Sequence, residues 1–227
     1  DTDHADTLAS IYREYISIAN EAGLPLLLAA PTWRLDPARV AQADVPASIN
    51  TDAVRFVREI AGDASTMRVG GLLGPANDCY APELSLSAAD ARAFHAPQAA
   101  ELATAGVDYL LGQTLPSVLE ALGMAQAALA TGRPTIISFC INPEGEVLDG
   151  TPVGEAMQRI DDATNHQLLG YMANCAYPTF LHPERIPPDL RHRFIGFDAN
   201  GASRVPWELQ ASDHSVSEPV TTWAHDM

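Results

Sequence analysis

Short apolar runs alternate with longer segments of helical periodicity along this chain. Six runs of five to eight residues predict buried strands, at 24–30, 67–73, 107–111, 134–141, 168–175 and 193–199. Five segments with apolar residues every three or four positions predict helices, at 7–22, 50–61, 87–105, 116–131 and 152–164. The tail from about Pro206 is polar and predicts little regular structure.

Residues that cap or break helices mark several of these boundaries. Gly23 and Gly62 follow the first two helical segments, as expected just past a helix end. Ser87-Ala88-Ala89-Asp90 has the Ser-x-x-Asp spacing of a capped helix start. Pro97 lies within the helix that follows and predicts a kink there.

The strand segments are continuously apolar, which indicates burial on both faces and therefore a parallel sheet. Strands and helices alternate at intervals of roughly 25 to 40 residues, as in repeated βα units. Doubly wound sheets and barrels both satisfy this pattern, but no Gly-x-Gly-x-x-Gly or phosphate-loop motif follows a strand. We therefore predict an α/β protein, a (β/α)8 TIM-type barrel with six of its eight βα units recognisable, as a single domain over residues 1–227.

Composition excludes several classes of partner. The formal charge of -16, with no lysine, predicts repulsion of nucleic acids and of anionic membranes. No apolar run reaches the roughly 18 residues that a membrane span requires. The three widely spaced cysteines argue against a disulfide framework and for a reducing, cytoplasmic location.

Candidate chemistry stands at the ends of the predicted strands, where the active sites of barrels lie. Cys79, Cys140 and Cys175 all fall at or just past a strand end, and Asn174-Cys175 closes one strand before a proline. A reactive or metal-binding thiol and a buried cysteine packed as a small hydrophobe are both open interpretations of Cys175. No Cys-x2-Cys or His-x3-His spacing is present, so the residues alone define no closed zinc site.

Other titratable residues give weaker signals. His182 follows Cys175 by seven residues, but a surface-loop histidine is the more common case. We interpret Asp161-Asp162 as the solvated face of a helix, and no Gly-x-Ser-x-Gly nucleophile motif occurs. The remaining histidines, which show no ligand spacing, are predicted to be exposed: His4, His95, His166, His192, His214 and His225.

Several motifs, in order, resemble the homocysteine S-methyltransferase family over about residues 4 to 225. The clearest is Asn174-Cys175-Ala176-Tyr177-Pro178, which is similar to the family's Asn-Cys-x-x-Pro motif. The others are Gly74-Pro75 with Tyr80, Phe94-His95-Ala96-Pro97-Gln98, Gly106-Val107-Asp108 through Gln113-Thr114-Leu115-Pro116, Ile137-Ser138-Phe139, Asp149-Gly150-Thr151-Pro152, and Phe197-Asp198-Ala199-Asn200-Gly201.

This resemblance implies a (β/α)8 barrel that transfers a methyl group from a sulfonium or betaine-type donor to a small-molecule thiol such as homocysteine. It implies zinc, held in the family by three cysteines, with Cys175 as one ligand and no catalytic group beyond the metal-activated thiol. The implied substrate-binding residues are Asn174, Thr32, Trp33, Asp78, Tyr80, Gln113 and Phe139.

The chain departs from the family pattern in several places. No Asp-Gly-Gly strand and no Gly-Gly-Cys-Cys-Gly strand are matched, so we expect an incomplete zinc site, and a trimmed chain, a completing subunit or a homo-oligomer. One zinc per chain in purified material would contradict that expectation. Gln113 stands where the family often has Glu, and Cys140 where Thr is usual.

Two alternatives stay open at this point. The first is a degenerate or incomplete barrel that binds a small ligand, or serves as a subunit, without turnover. The second is a different metal site built from Cys79, Cys140 and Cys175, which is less favoured because neighbouring strands usually point different residues inward.

Overall fold

The computed structural model describes residues 2–62, 65–205, 208–209 and 213–227. Six parallel strands form one sheet within these residues. In chain order they are β1 (Leu26–Ala30), β2 (Met67–Leu73), β3 (Tyr109–Leu115), β4 (Thr135–Cys140), β5 (Gly170–Ala176) and β6 (Phe194–Ala199).

The strands follow one another in the sheet in the order β1-β2-β3-β4-β5-β6, without the reversal that defines a doubly wound sheet. Hydrogen bonds between strands that are not neighbours show that the sheet is curled. The Gln113 amide on β3 donates to Asp198 on β6 at 3.0 Å, and the Tyr109 hydroxyl on β3 donates to the Leu28 carbonyl on β1 at 3.0 Å. The described residues therefore form a partial TIM-type barrel, which confirms the predicted fold class.

Helices cover the outer face of the curled sheet. Ser87 caps α4 by accepting a hydrogen bond from the Asp90 amide, as the sequence predicts, and Pro97 lies inside that helix. The helices are α1 (Thr2–Ala22), α2 (Pro37–Gln42), α3 (Ile49–Ala61), α4 (Ala88–Thr104), α5 (Val118–Leu129), α6 (Val153–Thr164) and α7 (Val220–Asp226), with short 3₁₀ turns at Pro82–Leu84, Pro178–Phe180, Pro183–Arg185 and Arg191–Arg193.

Two apolar cores divide the side chains of the strands. The larger lies between sheet and helices and includes Phe139, whose ring stacks on Tyr171 with centroids 5.9 Å apart. The smaller lies on the inner face of the curl, around Tyr109, Leu111 and Ile136. Residues near the carboxyl ends of the strands on this inner face therefore line the mouth of the barrel.

Several elements differ from the sequence predictions, among them α1, which begins at Thr2 rather than at residue 7. β3 continues four residues beyond the predicted end at Leu111, through Gly112 to Leu115, so that Gln113 lies within a strand. α2 was not predicted, although Asp36 accepts a hydrogen bond from the Arg39 amide and Pro37 begins the helix. α7 lies in the tail, where little structure was expected; the Trp223 indole donates to the Asn200 carbonyl at 2.9 Å and holds it there.

The interpretation of Asp161-Asp162 as a solvated pair is wrong for Asp161. Its side chain is fully buried, and the Arg193 guanidinium donates to both of its oxygens at 2.8 and 3.0 Å. The Tyr171 hydroxyl donates to the same carboxylate at 2.8 Å. Asp162 alone is exposed. The Asp161 carboxylate thus joins α6 and β5 to the residue that precedes β6.

No helix in the described part of the chain has the length and apolar content needed to span a membrane.

Candidate functional site

The Asn174 side chain joins three neighbouring strands at the carboxyl end of the sheet. Its Oδ1 accepts hydrogen bonds from the Thr114 amide of β3 at 3.1 Å and from the Ser138 hydroxyl of β4 at 2.6 Å. Its Nδ2 donates to the Thr114 hydroxyl at 2.8 Å and to Cys175 Sγ at 3.1 Å. Asn174 is almost fully buried, so these contacts fix the positions of all the groups around it.

Two residues of this network have left-handed backbone conformations. Thr114 has φ of 64° and Cys175 has φ of 55°, and the strand register shifts at both positions. Such conformations cost on the order of 1–3 kcal/mol each for residues other than glycine, and more so for a β-branched threonine. Asn174 offsets that cost at Thr114 by bonding both its amide and its hydroxyl. The network therefore holds a strained backbone where the sequence places its candidate site.

Cys175 Sγ accepts a hydrogen bond from the Asn174 amide, and Tyr80 lies near it. Burial, and then the neighbouring Cys175 sulfur, raises the pKa of Tyr80 well above its ordinary value. Tyr80 comes from the loop after β2, so this loop closes over the end of β5.

The other two cysteines lie close enough for their charges to interact with Cys175. Burial, and then negative charge on Asp78 and Cys175, raises the pKa of Cys79, although Arg34 opposes the change. Burial raises the pKa of Cys140, and the neighbouring Cys175 and Cys79 thiols raise it further because their ionisation would oppose its own. Both thiols are buried and therefore stay protonated near neutral pH, whereas Cys175 is partly exposed.

The donor set for zinc is incomplete in the part of the chain that the structure describes. No group of three or more His, Cys, Asp or Glu side chains in those residues is arranged to hold a metal ion. The alternative site built from Cys79, Cys140 and Cys175 is therefore not supported. Cys175 is the one predicted metal ligand at the mouth, and a single thiolate does not fit zinc, which needs three or four ligands.

The Trp33 side chain connects the end of β1 with β3 at the carboxyl end of the sheet. Its indole Nε1 donates to the Gln113 carbonyl at 3.1 Å, so the ring reaches from the end of β1 past β2 to β3. The Arg34 guanidinium lies over the ring, 4.5 Å from its centroid. One face of Trp33 is thus already covered by a cation of the chain itself.

Three other predicted substrate-binding residues have contacts within the scaffold. Thr32 is fully buried, and its hydroxyl bonds both the amide and the carbonyl of Leu72 at 2.9 Å. Phe139 is fully buried on the helix side of the sheet. Asp78 is exposed and accepts a hydrogen bond from the Tyr80 amide at 2.9 Å. A binding role for these three residues stays a prediction.

A buried carboxylate holds the loop that carries Cys79 and Tyr80. Glu120 of α5 accepts hydrogen bonds from the Ala76 amide at 2.7 Å and the Leu86 amide at 3.4 Å, near the two ends of this loop. His95 of α4 lies 3.4 Å from the same carboxylate and is buried, which corrects its prediction as an exposed histidine. Sequence reasoning missed Glu120, because one charge in an apolar helical segment carries no signal of its partners.

Replacing Glu120 with glutamine is expected to reduce the free energy of unfolding by about 1–3 kcal/mol, because an amide N–H then faces a buried donor. The measurement is urea denaturation. Glu83→Gln, an exposed change within the same loop, is the control and should leave stability nearly unchanged. Equal effects of the two changes would contradict the assigned role of Glu120.

The same contacts make the stabilisation by Glu120 depend on pH. Burial alone raises the pKa of Glu120, but hydrogen bonds from His95 and Ala76 outweigh it, so the pKa is lowered overall. A lowered pKa in the folded state means that the contribution is present above the ordinary carboxyl pKa of about 4.3 and is lost as the pH falls through the folded-state pKa.

The fold and the site together define a class: an α/β-barrel protein with a thiol, an amide and hydroxyls converging at the carboxyl ends of its strands. A family model described as homocysteine S-methyltransferase matches residues 2–223. The chain therefore belongs to the homocysteine S-methyltransferase family, as its motifs suggest.

Curated relatives agree with this family. The chain is 22% identical over 160 residues to betaine–homocysteine S-methyltransferase 1 of Mus musculus, covering 70% of this chain and 38% of the relative. It is 28% identical over 112 residues to S-methylmethionine–homocysteine S-methyltransferase BHMT2 of Pongo abelii, covering 49% of this chain and 30% of the relative. The matched part thus spans less than two fifths of these relatives.

Solved structures agree with the fold. The metallated form of the homocysteine methyltransferase MmuM from Escherichia coli has a TM-score of 0.64 and 19% identity, covering 93% of this chain and 88% of that one. The oxidized form of the same enzyme has a TM-score of 0.65 and 18% identity, covering 93% and 87%. At this identity the likeness supports the barrel fold and no finer property.

Proposed function

We propose that this protein transfers a methyl group from a sulfonium or betaine-type donor to a small thiol such as homocysteine. The observation that carries the proposal is the position of Cys175 Sγ at the mouth of the curled sheet, with the Asn174 amide bonded to it and Tyr80 nearby, in a chain of this family. In the reaction the acceptor thiol loses its proton and its sulfur forms a bond to the methyl carbon. The bond from that carbon to the donor's sulfur or nitrogen breaks, and the demethylated donor leaves as a sulfide or a tertiary amine.

The residues of the chain supply position rather than acid or base chemistry. Asn174 fixes the ends of β3, β4 and β5 relative to one another, so the walls of the site are set before a substrate binds. Holding two reactants in line is worth several kcal/mol of the barrier in such reactions. Tyr80 lies near Cys175, and an aromatic ring at this position would attract a methylated cation.

Zinc remains a proposal for this chain. By analogy with the family, we propose that zinc, with Cys175 as one ligand, would lower the pKa of the acceptor thiol. Because the described residues supply no complete ligand set, no step of the reaction is derived through the metal. We likewise propose that Trp33, Asp78 and Gln113 contact the substrates.

The test is direct transfer. Purified protein is incubated with homocysteine and either S-methylmethionine or glycine betaine, and methionine is measured by mass spectrometry with and without added zinc. We expect methionine above the uncatalysed level with one donor. No methionine under any of these conditions would contradict the proposal and favour a barrel that binds a ligand without turnover.

Two substitutions at Tyr80 separate the roles of its ring and its hydroxyl. Tyr80→Phe keeps the ring and should leave the KM for the methyl donor close to that of the wild type. Tyr80→Leu removes the ring and should raise that KM by about 5- to 30-fold, because a desolvated cation–π contact is worth about 1–2 kcal/mol. Similar donor KM values for both variants would contradict a role of the ring.

A further inference from the structure

Asp198 and Gln113 meet above the inner face of the curled sheet. Asp198 lies on β6 opposite Asn174 of β5, and Gln113 lies on β3. β4 and β5 separate these two strands in the sheet, yet Gln113 Nε2 donates to Asp198 Oδ2 at 3.0 Å. The contact therefore crosses the mouth of the barrel, next to the Asn174–Cys175 network.

Asp198 brings an uncompensated negative charge to this mouth. Within the described residues no Arg or His side chain forms an ion pair with it. Loss of water raises the pKa of its carboxyl group, and the Gln113 amide only partly opposes that change. The charge also contributes, after burial, to the raised pKa of Tyr109 on the inner face. The carboxylate thus acts on the interior of the curl while its side chain stays accessible from outside.

We propose that Asp198, oriented by Gln113, binds the primary ammonium group of an amino-acid thiol, the acceptor of the proposed methyl transfer. The inference rests on that proposed function for the identity of the ligand. It assigns the recognition of the ligand's positive charge to β6.

The hydrogen-bonding groups favour an ammonium over a methylated onium. With Gln113 Nε2 committed to Asp198 Oδ2, the second carboxylate oxygen and the Gln113 amide oxygen remain as acceptors. A primary ammonium has three N–H donors to satisfy them, whereas a sulfonium or quaternary ammonium has none. An aromatic surface such as that of Tyr80 suits the methylated cation instead.

The test compares two thiols that differ only in the ammonium group: L-homocysteine and 4-mercaptobutyrate. Their dissociation constants are measured by titration calorimetry under reducing conditions, so that turnover is not required. The wild-type protein should bind homocysteine about 10- to 100-fold more tightly, the range expected for hydrogen bonds to charged groups. Asp198→Asn should bind both thiols with nearly equal affinity and leave the constant for 4-mercaptobutyrate close to the wild-type value.

Two further variants act as controls. Asp162→Asn removes the same charge from an exposed position on α6 and should keep the preference for homocysteine. The exchange Gln113→Glu with Asp198→Asn moves the carboxylate to the other end of the same hydrogen bond and should restore at least part of the preference. The exchange also keeps the test decisive if Asp198→Asn alone fails to fold.

The possible outcomes separate this inference from the proposed function. An Asp198→Asn protein that keeps the full preference for homocysteine overturns the inference even if methyl transfer is observed. Loss of the preference in that variant, with no methyl transfer by the wild type, supports the ammonium site and contradicts the proposed function. Failure of the wild type to distinguish the two thiols also overturns the inference.

Discussion

Replacing Cys175 with serine is expected to reduce methyl transfer to the assay background while the barrel still folds. A serine hydroxyl is smaller, is far harder to deprotonate and is a poor ligand for a soft metal, so it replaces none of the properties of a thiolate. The local backbone should be preserved, because cysteine and serine meet the same steric limits at the φ of 55° found here. The Asn174 amide retains an acceptor at this position.

The control for this prediction is Cys79→Ser, the same chemical change in the loop after β2. Cys79 is buried and matches no family ligand, so this variant should keep most of the transfer activity. Circular dichroism melting of both variants shows whether either one is unfolded. Substantial turnover by a folded Cys175→Ser protein would contradict the role given to this sulfur.

Replacing Asp161 with asparagine is expected to reduce the free energy of unfolding by about 3–5 kcal/mol, the usual cost of removing one partner of a buried ion pair. Arg193 would lose its paired charge while its side chain stays mostly buried, and the Tyr171 hydroxyl would lose a charged acceptor. Guanidinium denaturation at neutral pH measures the change. Because α6 and β6 are joined through this carboxylate, the loss should be global and cooperative.

The neighbouring carboxylate provides a matched control. Asp162 is exposed and accepts a hydrogen bond from Gln158 on the same helix, so Asp162→Asn should change stability by no more than about 0.5 kcal/mol. Burial raises the pKa of Asp161, but the Arg193 and Tyr171 contacts outweigh it and lower the pKa overall. The Asp161 contribution is therefore lost as the pH falls through the folded-state pKa, well below neutrality. Similar stabilities for the two variants would contradict this assignment.

The arrangement of strands and helices could be predicted from the sequence because burial on both faces leaves a continuous apolar run for each strand. The end of β3 could not, because the strand continues through Gly112 and a left-handed Thr114, and both interrupt the apolar pattern. That conformation is held by Asn174, which lies 60 positions further along the chain. A prediction that considers each segment separately contains no information about this contact.

The same limit applies to the candidate site. Asn174 and Cys175 could be identified from one short motif at a strand end, and the structure brings Tyr80 to the same sulfur. The meeting of Gln113 and Asp198 depends on the curl of the sheet, since the two residues lie on strands that are not neighbours. The buried states of Asp161, His95 and Glu120 depend on which helix packs beside which, and a single sequence gives that only coarsely.

We propose that the Cys175 thiol lies at the barrel mouth beside the small molecule that the protein binds. The most direct measurement is the alkylation rate of each cysteine by iodoacetamide, followed by mass spectrometry with and without saturating L-methionine, the product of the proposed reaction. We expect Cys175 to react faster than the buried Cys140, and methionine to slow its reaction. A Cys175 rate that methionine leaves unchanged, or that does not exceed the rate of Cys140, would contradict the claim.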